Sequence, residues 1–491
     1  MLRITPPLVR SNQKQLLGLF AVVGLVALLA SATSAADWPR FRGPNGSGIA
    51  ADAPAPPITW SETENLKWSI DLPGQGVSCP IVVGDRVYVT SWTGDGPDNL
   101  VRHLVCYDRA TGEQIFDKSI APVVQDEPYE GMFRQTGYTA SSPASDGERV
   151  YCFFGVSGVY AFDMNGTELW RSSVGTQFDD RKWGTASSPV PVGDLVIVPA
   201  AAESKSIVAL RKSDGSEAWR FDSPVLNGTW SSPVVVDTPS GGQELVFAVP
   251  GQVWAFDPAT GKQLWTCQGA ESNSACASPI AADGIVYAIG GREGGGLAIR
   301  AGGSGDVTES HVVWSGNQRA RIGTPVLEDG LIYWISDGTA NCIDAATGER
   351  VYQNRLKPQE DVAQTRRIFH LVAEETAAEE VPANAPAVQA ADGQQPGQRP
   401  GEGRGQVRGR RRGGGGGGFM SQDYSSPVVA GDKMYYVRRD GATYVFKLGR
   451  EFEQLAVNKF PGEADYSASP AIADGQMFIR SSKKLYCVAK E

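Results

Sequence analysis

The stretch SSPVVVDTPSGGQELVFAVPGQVWAFDPATGKQLW, residues 231–265, reads as four short strands joined by turns. A Ser-Pro step at Ser232-Pro233 opens onto the apolar run Val234-Val235-Val236. Proline suits the start of a strand, where its missing N–H costs no ladder bond. A turn rich in Gly, Pro and Ser follows, then two further strand-like runs, 244–248 and 252–257. The turn at Thr260-Gly261 leads into an outer strand that ends at Trp265. Glycine reaches positive φ there at little steric cost. Four strands in a unit of about 45 residues is the size of one propeller blade.

The same step recurs along the chain, with its proline at Pro80, Pro143, Pro189, Pro233, Pro279, Pro325, Pro427 and Pro470. The spacings are 63, 46, 44, 46, 46, 102 and 43 residues. Five are single units, and the other two are units carrying insertions of roughly 18 and 57 residues. In the first copy Cys79 stands where the others have Ser or Thr. An outer-strand aromatic gives a second count, at Trp68, Phe116, Trp170, Trp219, Trp265, Trp314 and Tyr352, with Leu455 in the eighth place. The two series are out of phase: no inner strand precedes Trp68, and no outer strand follows Pro470. A ring that pairs residues 65–72 with the C-terminal strands resolves the phase and removes free sheet edges. The expected fold is an all-β, eight-bladed β-propeller closed by pairing of its N- and C-terminal strands.

Three segments, AFDPATGKQLW at 255–265, CYDRATGEQIF at 106–116 and CIDAATGERVY at 342–352, resemble the tryptophan-docking repeat of the pyrroloquinoline-quinone (PQQ) type β-propellers. Weaker copies are AFDMNGTELW at 161–170 and ALRKSDGSEAW at 209–219. The opening DWPRFRGP, residues 37–44, resembles secreted bacterial propellers that begin in the same way, and the whole is BamB-like. The resemblance implies the quinoprotein-type propeller fold. It also implies a structural role for Phe116, Trp170, Trp219, Trp265, Trp314 and Tyr352, docking each blade against the next.

With 41% hydrophobic and 20% charged residues, the 491-residue chain suits a folded protein. Its formal charge of −10 gives no basic footprint for nucleic acid. The three histidines, His103, His311 and His370, are far apart, so no histidine-rich metal site is expected. Residues 1–36 read as a signal peptide: Arg3, Arg10 and Lys14, an apolar run over 16–30, then small residues. That run is shorter than the roughly 20 residues a spanning helix needs. The expected plan continues with an N-terminal arm at 37–64 and a first set of blades at 65–356. An insertion at 357–420 and the last blades at 421–491 complete it. The insertion turns from acidic to Pro/Gly-rich to basic, with Arg404, Arg408, Arg410, Arg411 and Arg412, a composition of disordered segments. Export would make disulfides possible, and Cys267 and Cys276, nine residues apart across a turn-like stretch, are the candidate pair. Cys106, Cys342 and Cys487 read as small buried strand residues.

The sequence contains no G-x-S-x-G, H-E-x-x-H, C-x-x-C or phosphate-loop pattern. In the resembling dehydrogenases a quinone sits at the ring centre with calcium, a catalytic aspartate and a disulfide between adjacent cysteines. No adjacent cysteine pair occurs here. The segments leading into the inner strands should cluster on one face. They bring Arg181, Trp183, Trp230, Arg319, Arg321, Asp423 and Asp465 to a funnel mouth, the candidate binding site. The expected function is an exported, non-enzymatic binding scaffold, periplasmic or secreted, with protein partners in the cell envelope. It should act as a monomer without nucleic acid, catalytic residues, metal or cofactor, and touch a membrane only through an uncleaved leader. The alternative is a quinoprotein oxidoreductase that uses PQQ and calcium.

Overall fold

The computed structural model of the chain describes residues 37–51, 53–270, 273–291, 294–359, 422–462 and 464–490. Residues 1–36, expected to be a leader, and nearly all of the expected insertion at 357–420 lie outside them. Eight sheets stand in a ring as the blades of a propeller. In chain order they span 81–120, 144–172, 190–222, 234–270, 280–316, 326–355, 428–458 and 471–488, here blades 1 to 8. The proline of each repeated step directly precedes an inner strand, as Pro80 precedes Ile81–Val83 and Pro470 precedes Ala471–Ala473. No helix among the described residues is long and apolar enough to cross a membrane.

Strand side chains alternate between two faces, and here each face meets a different neighbouring blade. In Arg86–Thr93, Val87 and Val89 join a core shared with blade 8, while Tyr88 joins one shared with blade 2. The central strands are therefore apolar at nearly every position. The outer strands, exposed on one side, show polar alternation: in Leu66–Asp71 Trp68 is buried between exposed Lys67 and Ser69. Cys106, Cys342 and Cys487 are fully buried within these interblade cores.

The ring closes on blade 8. Its own three strands are completed by Leu66–Asp71, which pairs antiparallel with Lys484–Val488 in the register Ser69↔Tyr486 and Ile70↔Leu485. The chain before this strand crosses the opposite end of the ring from the mouth. Trp38 bridges to Val82 of blade 1, and Pro39 accepts a hydrogen bond from Ser145 of blade 2. Asn45 bonds the backbone of Val235 in blade 4 in both directions. Ile49–Ala50 then runs parallel to the inner strand of blade 7. At the centre of this floor the buried guanidinium of Arg42 donates to the carbonyls of Gly46, Ser47, Thr324, Pro325 and Pro427. Gly43 holds φ +68°, and a Cβ there would lie 2.6 Å from the Trp38 ring, so no other residue fits this crossing.

Candidate functional site

The residue before each proline builds the wall of the central channel. The backbone N–H of Cys79 donates to Ser142 Oγ at 2.9 Å, and that of Ser142 donates to Ser188 Oγ at 3.0 Å. The series continues through Ser232, Ser278, Thr324, Ser426 and Ser469 at 2.7–3.0 Å. The Ser469 N–H closes the circle on the sulfur of Cys79 at 3.2 Å. Eight inner strands are thus linked blade to blade by one cyclic set of hydrogen bonds. The sequence reading used the proline as its marker and missed this role. The available signal was the hydroxyl residue before seven of the eight prolines.

Inside this ring lies a cavity of about 1300 Å³, counting its open mouth, with Phe41 from the floor segment among its lining. Trp183 and Trp230 line the mouth with ring centroids 4.8 Å apart. The Trp230 indole donates to Gly184 O at 2.8 Å, which fixes its orientation. Arg181 lies over both rings, its guanidinium 5.7 Å from each centroid, and donates to Asn273 O. Arg321 lines the cavity and reaches Asp337 at 3.5 Å. Arg319 is exposed; its carbonyl accepts the Trp334 indole N–H, but its side chain is not part of the cavity wall. The two aspartates are committed to neighbours. Asp465 pairs with Arg439 and Asp423 with Arg438, at 2.5 and 3.5 Å. Across the mouth, Tyr424 and Arg439 both donate to Gln135 Oε1, at 2.7 and 2.8 Å, tying blade 7 to the connection between blades 1 and 2.

The expected disulfide is corrected: Cys267 and Cys276 are both free thiols. Cys267 faces the core between blades 4 and 5, whereas Cys276 lines the central cavity, so the chain turns their side chains into different compartments. Burial pushes the Cys276 thiol up to about 12, so it stands in the cavity wall as a thiol rather than a thiolate at neutral pH. No histidine lines the cavity; His103, for example, is held by Thr93 and Asp117 within blade 1.

At the outer rim, Trp170, Trp219 and Trp314 each donate an indole N–H to a turn carbonyl of the following blade, on Lys212, Pro258 and Ala345. Trp68 does the same to Arg109. The indole rests on the turn glycine: a Cβ at Gly261 would lie 2.4 Å from Trp219. Phe116 packs over Gly166, and Tyr352 faces Phe452 of blade 7 with centroids 5.6 Å apart. Trp265 differs, because blade 5 has no Thr-Gly turn to receive it. Its indole instead donates to Glu244 Oε2 at 2.8 Å within its own blade, and Gly305–Asp306 pairs alongside its strand.

The quinoprotein fold raises the question whether a calcium-bound quinone fits. The tryptophan pair could support a planar ring, but the donor set for the metal is lacking. Among the described residues no group of three or more His, Cys, Asp or Glu side chains is placed to hold a metal ion. Cys276 has no adjacent cysteine. These residues do not fit that pair of groups.

A family profile described as outer membrane protein assembly factor BamB matches residues 155–395 and 308–491. No curated protein matches the chain in sequence. Among solved structures, BamB from Moraxella catarrhalis is similar with a TM-score of 0.54 at 12% identity, over 87% of this chain and 97% of that one. Quinohemoprotein alcohol dehydrogenase from Comamonas testosteroni gives 0.55 at 12% identity, over 94% of this chain and 82% of that one. The quinohemoprotein alcohol dehydrogenase ADHIIG from Pseudomonas putida HK5 gives 0.52 at 11%, over 92% and 80%. These likenesses speak for the fold. With a profile match over more than half its length on an eight-bladed closed ring, the chain belongs to the PQQ-like β-propeller family described as outer membrane protein assembly factor BamB.

Proposed function

We propose that the protein is an exported, non-enzymatic scaffold of the cell envelope that holds a segment of a protein partner at the mouth of its central cavity. It acts as a monomer and takes no nucleic acid, metal or cofactor. Family membership and the leader-like composition of residues 1–36 support an envelope role. The observation that carries the reading is the state of the polar groups at the mouth. Asp423, Asp465 and Arg439 are tied to one another or to neighbours, and the Cys276 thiol is held protonated by burial. What remains is a half-buried aromatic surface, Trp183 and Trp230, in a hydroxyl-lined funnel. Such a surface suits recognition, since aromatic side chains with fixed orientation dominate interface hot spots. The rival reading, a PQQ-dependent oxidoreductase, draws on the same tryptophan pair as a platform for a planar ring.

Two measurements separate them. The purified full chain is incubated with PQQ and calcium and assayed for dye reduction with alcohols and aldose sugars. The scaffold reading expects no substrate-dependent turnover, and turnover would replace it with the oxidoreductase. In the host cell, a photo-crosslinking residue at position 230 should trap a protein of the envelope. The same residue at position 115, on the exposed outer strand of blade 1, should not. Equal adducts at both positions, or none at 230, would reject the mouth as the docking surface.

A further inference from the structure

Beside the central cavity, between blades 2 and 3, lies a second pocket of about 410 Å³, counting its open mouth. Its roof comes from the connection between blades 1 and 2, which contributes Glu127 and Phe133. Phe154 comes from blade 2, and Phe178 and Asp179 from the segment leading into blade 3. Glu203 comes from the short helix Ala201–Ser204 within blade 3.

The charges in this pocket do not balance. Arg102 is consumed by Asp126 at 2.7 Å, with both side chains buried. Lys182, exposed and outside the pocket lining, pairs with Glu130 at 3.8 Å. Glu127, Asp179 and Glu203 form no ion pair within 4.0 Å among the described residues; Lys182 and Arg181 offset Glu127 and Asp179 only from farther away, and no cation is near enough to act on Glu203. Asp179 accepts the backbone N–H groups of Arg181 and Trp183. Glu203 is 1% exposed; its Oε1 accepts the Thr185 hydroxyl, while its Oε2 is buried with no partner at all. The hydroxyl of Ser141, 4% exposed and also lining the pocket, is likewise buried and unpartnered. Buried polar atoms without partners are rare and call for a missing one. The carboxylates also raise one another: burial first, then the neighbouring acids, push both Glu127 and Glu203 up to about 7.

The surroundings select the kind of cation. No three acidic groups here are placed to ligate one metal ion. The walls are aromatic instead, and they already host one such contact: the Arg102 guanidinium lies 5.8 Å from the ring centroids of both Tyr138 and Phe154. Phe178 is 42% exposed at the opening, an apolar surface suited to an aliphatic stem. We propose that this pocket binds an organic cation, an ammonium or guanidinium group on an aliphatic stem, with Glu203 and Asp179 facing the charge and Phe133 and Phe178 flanking the stem. Aromatic faces and carboxylates together stabilise such cations when water is excluded. This site is distinct from the central cavity and does not depend on the scaffold reading.

The test uses the full chain, with cadaverine as a free amine and the tripeptide Gly-Lys-Gly as a source of lysine side chain, followed by calorimetric titration. Binding at about pH 8 should weaken about tenfold or more at about pH 6, as the carboxyls take up protons. The groups facing Glu203 in that titration are Thr185, Asp179 and Glu127, and Glu127 is in turn acted on by Asp179, Lys182 and Asp126. Glu203→Gln should cost about tenfold in affinity and Phe178→Ala, at an exposed position, about threefold or more. Arg321→Gln, in the central cavity, should change it less than about twofold. Tighter binding of the tripeptide points to a protein side chain as the source, and tighter binding of cadaverine to a free amine. The proposal is overturned if neither binds at about 10 mM. It is equally overturned if Phe178→Ala and Glu203→Gln bind like the parent, if Arg321→Gln abolishes binding, or if calcium competes more tightly than either amine.

Discussion

Trp265 occupies the same place on its blade as Trp219, yet its indole N–H turns to Glu244 rather than across to the next blade. Glu244 is 4% exposed and also accepts the Gly302 N–H, so the tryptophan supplies one of the few donors to a buried carboxylate. Trp265→Ala should therefore cost about 3–5 kcal/mol, as for other large-to-small core changes, and leave Glu244 short of a partner. Trp265→Phe keeps most of the volume and should cost about 1–3 kcal/mol. Trp170→Phe, which loses part of the ring packed on Gly215 and a bond to a neutral rather than a charged acceptor, should cost less, about 1 kcal/mol. Equal losses in the two Phe variants by chemical denaturation would show that the Glu244 bond adds nothing. The sequence placed both tryptophans on outer strands, because the period of the repeat does so. It could not distinguish their partners, since Glu244 lies 21 residues before Trp265 and the docking turn is missing from a different blade. The thiols show the same limit. Nine residues separate Cys267 from Cys276, but strand alternation and the cavity wall take their side chains apart.

Among the elements, the segment 37–50 and the closing strand Leu66–Asp71 do different work. The phase mismatch between prolines and outer aromatics was enough to read the closing strand, since a ring has no other way to match eight inner with eight outer strands. The floor was not legible. Arg42 acts through five backbone carbonyls from three separate parts of the chain, and carbonyls carry no sequence signal. Removing 37–72 should leave blade 8 with three strands and expose edges on both sides of the gap, with aggregation or a large fall in melting temperature. Removing only 37–50 should keep the eight blades and lower the melting temperature by a smaller step. A cooperative transition near the parent temperature for the longer truncation would show that closure is not the source of stability. The mouth was legible as a set of lead-in segments, because a propeller gathers them on one face. Arg319 illustrates why individual residues were not: a lead-in position does not determine whether a side chain turns toward the axis or out to solvent.

At the scale of the whole molecule, the acidic side pocket should set the pH dependence of folding. Glu203 and Glu127 hold their protons up to about 7 in the folded state, against about 4.5 when unfolded. The folded state therefore binds protons more tightly, and the associated stability is fully present below about 4.5 and lost as pH rises to about 7. For Glu203, fully buried, the effect is on the order of 3 kcal/mol. Asp108 and Asp163, held below the usual carboxylate range by hydrogen bonds from their own turns, act in the opposite sense and destabilise at lower pH. Calorimetric melting temperatures should peak near about pH 5 and fall toward about pH 7.5, and Glu203→Gln should flatten that fall. An unchanged slope in the variant would remove Glu203 from this account.

The cyclic hydrogen bonds of the channel wall also set the chemical sense of the space they enclose. Each of the seven hydroxyl oxygens at Ser142, Ser188, Ser232, Ser278, Thr324, Ser426 and Ser469 is already occupied by a neighbour's N–H. A hydroxyl that accepts from the backbone keeps its own proton to give, so the wall is biased toward donation and favours guests rich in carbonyl or carboxylate oxygen. The sulfur of Cys79, a weak donor, interrupts this array at the seam between blades 8 and 1. One soft atom among seven hydroxyls breaks the rotational symmetry that eight similar blades would otherwise impose, and a guest that senses the wall has a single preferred orientation in it.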